Sequence, residues 1–277
     1  MTLFAIESGN FKLDGGAMFG VVPKKIWHKL VPPDENNFCT WAMRCLLVQD
    51  GKRLMLVDTG IGDKQDTKFR SNFGVFEPSK LVSEIEKLGF STTEITDVFL
   101  THLHFDHCGG AVKREGEQLL PTFPQAKYWS NKAHWDWANH PNPRELASFL
   151  KENIEPLQSH LHFIQDVQDL NMPKFDIFFA DGHTEKMMLP IFTHKEKKVV
   201  FCADLLPSIH HIKPPYVMSY DVRPLLTMNE KDMLLNKAVN EGWVLMFEHD
   251  AYHECCTLKR TEAGHIIPDE IFTLKDM

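Results

Sequence analysis

The chain has 277 residues, 43% of them hydrophobic and 25% charged, with a formal net charge of -8. This length and balance describe a globular protein able to bury a large core, read as one domain over residues 1–277, and they exclude a disordered chain. The acidic balance leaves no general basic surface for a nucleic acid, and no window reaches the length of a membrane span, so neither nucleic acid nor membrane is an expected partner. In chain order, the first residues, Met1 to Ser8, lack a basic region followed by a long apolar run, so no secretory signal is expected. Cys45-Leu46-Leu47-Val48 and Leu54-Met55-Leu56-Val57 flank Asp50-Gly51, which predicts a β-hairpin. Leu81, Ile85 and Leu88 recur at i, i+4 and i+7, with Pro78 near the start and Gly89 at the end, which predicts a helix. Asp97-Val98-Phe99-Leu100-Thr101 reads as a buried strand running into a histidine-rich segment.

From Asn131 to about Ser159 the pattern turns helical, with Asn142 and Pro143 placed as an N-cap and first-turn proline before residues 144–150. Strands resume near Leu161-His162-Phe163-Ile164 and Phe175-Asp176-Ile177-Phe178-Phe179, and Lys195-Glu196-Lys197 marks the turn of a hairpin. Thr227 and Glu230 have capping-box spacing for a helix from Asn229 to Asn240, closed by Gly242 before a last apolar strand, Trp243 to Glu248. The alternation is that of the α/β class. Six cysteines, Cys39, Cys45, Cys108, Cys202, Cys255 and Cys256, are scattered along the chain, as reduced thiols would be, and a cytoplasmic location follows as an expectation.

The segment Thr101-His102-Leu103-His104-Phe105-Asp106-His107-Cys108-Gly109-Gly110 carries the chemistry. Four potential metal ligands, His102, His104, Asp106 and His107, fall within six residues. In an extended stretch alternate side chains share a face, so His102 and His104 can converge on one ion. A turn after them lets Asp106 and His107 point at a second, while Leu103 and Phe105 face a core.

This motif resembles the metal-binding signature of the metallo-β-lactamase fold superfamily, and the resemblance spans about residues 10–255. Its later landmarks follow in order: Gly182-His183-Thr184, then Asp204 closing Val199-Val200-Phe201-Cys202-Ala203, then His249 closing the last apolar strand. Upstream, Leu54-Met55-Leu56-Val57-Asp58-Thr59-Gly60 is similar to the family's first landmark, an aspartate ending a buried strand, and Asp58 is read as structural. The resemblance implies a four-layer αββα sandwich, with the helical stretch at about 131–159 as an insertion. It implies two divalent ions, zinc first, with manganese, iron or cobalt also compatible with this donor set. His102, His104 and His183 would hold one ion, Asp106, His107 and His249 the other, and Asp204 would lie between them. A metal-bridging hydroxide would then attack a carbonyl carbon or a phosphoryl phosphorus, with Asp106 also carrying a proton to the leaving group. Met18 and Phe19 lie where family members carry a loop beside the site, so they are candidates for contact with an apolar substrate group, or for packing of an early hairpin. His134, His140, His160 and His162 read as ordinary strand or loop histidines, while His210 and His211 follow Asp204 closely enough to line a cleft or a surface loop.

His-Leu-His-Phe-Asp-His is especially similar to the motif of N-acyl-homoserine lactonases, and the length and insertion also resemble organophosphate-hydrolase-like members. The resemblance implies a hydrolase acting on a small-molecule lactone or ester, and a homodimer is a further expectation from related enzymes. The alternatives are a phosphotriester or phosphodiester hydrolase, then a thioesterase or an iron-dependent persulfide dioxygenase-like oxidoreductase. Two departures stand out. Many such lactonases carry a tyrosine three positions after the bridging aspartate, where this chain has Pro207, with Tyr216 and Tyr220 nearby in sequence. The family's Pro-Gly-His-Thr-Pro-Gly turn is altered here to Asp181-Gly182-His183-Thr184-Glu185-Lys186.

Overall fold

The structure is a computed structural model that describes residues 1–75 and 77–277. Its strands are β1 (Thr2–Asp14), β2 (Phe38–Asp50), β3 (Arg53–Val57), β4 (Asp97–Phe99), β5 (Val112–Glu115), β6 (Gln118–Pro121), β7 (Lys127–Ser130), β8 (Leu161–Phe163), β9 (Phe175–Ala180), β10 (Met187–His194), β11 (Lys197–Phe201), β12 (Val244–Met246), β13 (Cys255–Arg260) and β14 (Ile266–Phe272). Its helices are α1 (Gly15–Phe19), α2 (Lys24–Trp27), α3 (Thr67–Asn72), α4 (Leu81–Lys87), α5 (Phe105–Cys108), α6 (Lys132–Asn139), α7 (Lys151–Ile154) and α8 (Pro224–Glu241). The chain divides into two compact units, residues 1–9 with 43–173 and residues 10–42 with 174–277. Among the described residues no helix is long and apolar enough to cross a membrane.

The first unit is built on a six-stranded sheet in the order β1-β2-β3-β4-β7-β8. The Asp50-Gly51 turn forms as the sequence predicts: β2 and β3 pair antiparallel out to Asp50 against Arg53, and Gly51 takes a φ of 61°. From β3 onward the pairs are parallel, Val57 beside Phe99 and Phe99 beside Trp129, which explains the continuous apolar runs of β3 and β4. Helix α4 buries Leu81 and Ile85 against this sheet, whereas Leu88 only caps its end and is over a third exposed. Leu103 joins the same core, and Phe105 packs on Phe69 and Phe73 at 5.2 and 4.6 Å between ring centroids. The stretch at 131–159 is partly helical, but residues 143–148 form turns instead of the expected helix. The reason is local: the Asn142 side chain accepts from the backbone N–H groups of Arg144 and Glu145, an Asx turn that stops there, while Glu145 is drawn inward and accepts from Trp137 and Asn142.

The second unit carries a six-stranded sheet in the order β14-β13-β12-β11-β10-β9. Lys195 and Glu196 turn the β10–β11 hairpin with φ of 45° and 63°. Helix α8 begins at Pro224, earlier than the sequence reading, because proline at the first helical position already starts it. Thr227 and Glu230 therefore lie inside the helix and form no capping box: Glu230 accepts from the backbone N–H groups of Asp181 and Gly182 at 2.7 and 3.0 Å. Gly242 ends the helix in the left-handed conformation, as expected. Cys255 and Cys256 lie side by side on β13, both buried, and all six cysteines are free thiols.

Candidate metal centre

In the first unit the chain bends at Thr101 and His104 after β4, His104 itself in an extended conformation, and then turns into α5. That geometry brings His102 Nε2 to 3.0 Å from His104 Nδ1, the convergence expected of an i, i+2 pair. His107 and Asp106 follow on α5, with His107 Nε2 3.8 Å from an Asp106 carboxylate oxygen and the His107 ring 3.9 Å from that of His102. All four side chains are buried. The glycine pair that follows is required by space: a Cβ on Gly109 or Gly110 would overlap the backbone carbonyls of Ile61 or Thr59. The Cys108 thiol is buried beside them and donates to the Leu103 carbonyl at 3.3 Å, and burial pushes its pKa up to about 12.

In the second unit Asp204 is flanked by two imidazoles on different oxygens. His183 Nε2 lies 3.0 Å from one and His249 Nε2 3.0 Å from the other. Burial works against a charged His183 ring, but the carboxylates of Asp204 and Asp221 on either side push its pKa up to about 10.

Each of the five histidines has its second ring nitrogen tied outward. His102 Nδ1 meets Thr101 Oγ1 at 3.1 Å, His104 Nε2 meets Glu145 at 3.4 Å, and His107 Nδ1 meets Asp58 at 3.1 Å. His183 Nδ1 meets Asp221 at 2.7 Å and His249 Nδ1 meets the carbonyl of Ala42 at 2.7 Å. This pattern of an outer partner fixing the ring so that the other nitrogen points at neighbouring donors is characteristic of metal-ligating histidine. Five buried imidazoles and two carboxylates, Asp106 and Asp204, therefore fit divalent cations of borderline softness. Asp58 acts as a brace, accepting from the Thr101 backbone N–H at 2.8 Å and its hydroxyl at 2.6 Å as well as facing His107.

Nothing in the local sequence patterns of Glu145 and Asp221 announces their role, since they lie 41 and 38 residues from the histidines they hold. His134 is no ordinary loop histidine: it is buried and accepts from the Leu103 backbone N–H at 2.8 Å, pinning the motif's own chain. His140 and His162 are exposed, as ordinary surface histidines. His211 is buried: Nε2 donates to the Met18 carbonyl at 2.9 Å, Nδ1 meets the Ser208 hydroxyl at 2.8 Å, and the ring stacks on Phe19 at 5.0 Å. Met18 and Phe19 are buried in this cluster, Phe19 lying between His211 and Trp27. Pro207 contributes its carbonyl, which accepts from the His249 backbone N–H at 3.1 Å, Tyr216 packs edge-on against Phe19 at 6.1 Å, and Tyr220 is exposed.

Two mixed sheets with helices, a dense His-x-His-x-Asp-His turn and an aspartate between two histidines define a metal-binding α/β protein. Residues 44–249 match the family model described as metallo-beta-lactamase superfamily, and the chain belongs to that superfamily. A stretch of 91 residues is 36% identical to a probable metallo-hydrolase of Mycobacterium bovis; it covers 30% of this chain and 29% of that relative, so the match spans under a third of the relative's length. A probable metal-dependent hydrolase from Staphylococcus aureus has a structure similar over 98% of this chain and 96% of its own, at 26% identity and a TM-score of 0.89. The dizinc quorum-quenching lactonase AidC shares the fold over 98% of this chain and 95% of its own, at 21% identity and a TM-score of 0.80.

Proposed function

We propose that this chain is a dinuclear metal-dependent hydrolase that opens lactones or cleaves simple esters, its two units working together as a single catalytic domain. The observation that carries the reading is Asp204 presenting its two oxygens to two different histidines, the arrangement expected of a carboxylate shared by two ions. In this assignment His102, His104 and His183 hold one ion, Asp106, His107 and His249 the other, and Asp204 both, with zinc the first candidate. When bound, two such ions supply a water that ionises near neutral pH and a Lewis acid that polarises the scissile bond.

The protein's own part is to orient and to move a proton. Asp58, Asp221, Glu145, Thr101 and the Ala42 carbonyl hold the imidazoles in one tautomer and one orientation. Asp106, nearly buried at the start of α5, takes the proton from the attacking water and returns it to the departing alkoxide oxygen, which an ester or lactone needs as it leaves. The lactone preference is supported by the His102-to-His107 motif and by a fold shared with the lactonase AidC. The six free, buried thiols support a cytoplasmic location.

The test is proton release by the metal-loaded protein on acyl-homoserine lactones, simple lactones, aryl esters, phosphotriesters and a glutathione thioester, with Asp106→Asn as the blank. Lactone or ester turnover that disappears in the variant is the expected result. Turnover confined to phosphoesters or thioesters, or none, overturns the substrate assignment, and a metal analysis giving one iron per chain overturns the dinuclear hydrolase itself.

A further inference from the structure

Within the second unit a cavity of about 580 Å³ is walled by α8, residues 212–216 and the turn between β13 and β14. The volume lies within the range of about 300–1,000 Å³ typical of small-molecule sites. None of the seven donor residues lines it. Ile212, Tyr216, Met228, Leu235 and Ile267 are among its apolar lining residues, and most of the surface it presents is hydrocarbon.

Its charges are unbalanced. Lys213, Lys231 and Arg260 line it against a single carboxylate, Asp232, in a chain whose net charge is -8. Lys231 is 1% exposed, and its ammonium donates to the carbonyls of Lys213, Pro214 and Tyr216 at 3.0, 3.3 and 2.7 Å. Those three bonds fix the cation in place but do not neutralise it. Arg260 donates to Asn236 and Asn240, and the Lys213 ammonium sits over the Tyr216 ring at 5.3 Å. Among the described residues none of these three cations forms an ion pair with a carboxylate. A buried cation with no carboxylate bonded to it is costly, and an anion brought into the same low-dielectric cavity relieves the cost. Burial already drives the Lys231 pKa down to about 7, with the charge of Asp221 opposing.

We propose that this cavity binds an amphiphilic monocarboxylate, with its alkyl chain against Met228, Leu235 and Ile267 and its head group on the Arg260 guanidinium near the Lys231 charge. Arg260 supplies the directional bonds, since a guanidinium matches a carboxylate with two parallel N–H donors, and Lys231 supplies charge from below. A head group on the exposed Arg260 leaves the apolar lining for hydrocarbon. This inference goes beyond the proposed hydrolase reading and does not depend on it.

The test is calorimetric titration of the full, metal-loaded chain with sodium decanoate below its micelle threshold, beside acetate, 1-decanol and decylamine. Saturable binding of one decanoate per chain, with the other three at least about tenfold weaker, is expected, because each lacks either the chain or the charge. Met228→Trp, which enlarges a partly buried lining residue, is expected to abolish binding, and Arg260→Gln to weaken it about tenfold or more, both with full metal content. Decanoate binding that both variants leave unchanged would place the carboxylate elsewhere, the metal centre included, and would overturn the site. Equal binding of decanol or decylamine would overturn the charge argument, and so would the absence of saturable binding.

Discussion

His211 gives a prediction whose size follows from its surroundings. The ring is buried, both nitrogens are engaged, by Met18 and Ser208, and Phe19 stacks on its face, so burial pushes its pKa down to about 3. In the unfolded chain the same imidazole titrates near pH 6.5. A depressed folded pKa means that the contribution to stability is complete above about 6.5 and is lost as the pH falls towards 3, because only the unfolded chain takes up the proton. Between pH 7.5 and 4.5 the loss covers two pH units at about 1.4 kcal/mol each, or about 2.7 kcal/mol. His211→Gln keeps a donor for the Met18 carbonyl but has nothing to titrate. Urea unfolding of both chains at pH 7.5 and 4.5, in the same chelator-containing buffer, isolates the term, since every other titrating group is common to the two. The wild type is expected to lose about 2.7 kcal/mol more than the variant across that interval. Equal losses would mean that His211 protonates in the folded state, and the sealed, neutral ring described above would be wrong.

Three further outcomes follow from the geometry. Asp221→Asn leaves the His183 ring without its carboxylate, so metal affinity measured by chelator competition should fall about 10- to 100-fold while the fold persists; an unchanged affinity refutes the role of Asp221. Asp58→Asn places an amide N–H₂ or a single oxygen where Thr101 and His107 both need acceptors, so urea unfolding should show a loss of roughly 3 kcal/mol, and a wild-type midpoint would show that Asp58 is no brace. Gly182→Ala puts a methyl group into the Thr227 backbone nitrogen and hydroxyl, and should cost about 1–3 kcal/mol along with metal affinity; near-native values for both would contradict the close approach of α8 to this turn.

The sequence made the elements legible where period and turn chemistry agreed. Asp50-Gly51, the Leu81/Ile85 stripe, Gly242 and the positive-φ turn at Lys195 and Glu196 each appear where their chemistry places them. Local rules failed where a distant group competed for the same atoms. Glu230 has the spacing of a capping box, yet its carboxylate serves the N–H groups of Asp181 and Gly182, and Glu145 leaves the expected helix to reach His104, Trp137 and Asn142. The seven candidate donors could be named because their spacing is local or follows family landmarks. Their partners were not, since a carboxylate that fixes a histidine across 38 or 41 residues leaves no periodic trace.

The altered turn around His183 is explained by the same distant bonding. Where relatives of the lactonase type place prolines, this chain has Asp181 and Glu185, which cannot stiffen the backbone by their rings. Each is instead bonded to a neighbour: Asp181 accepts from the Lys186 backbone N–H at 3.0 Å and from its ammonium at 2.9 Å, while Glu185 pairs with Arg223 at 2.7 Å. Arg223 also donates to the Asp181 carbonyl, and its own N–H donates to the Gly182 carbonyl at 2.8 Å. The N–H of Val222 reaches the His183 carbonyl at 3.2 Å, and Asp221 reaches the ring itself. Residues 181–186 are thus held by residues 221–230, the stretch that leads into α8 and forms its first turns, on both their backbone and their side chains. Proline restricts a turn by lowering the entropy of the unfolded chain, whereas this network restricts it by bonds that exist only in the folded one. The imidazole is held in either case, but here its placement depends on α8 being formed and docked, so damage to that helix should reach the metal centre through Gly182 and Asp221.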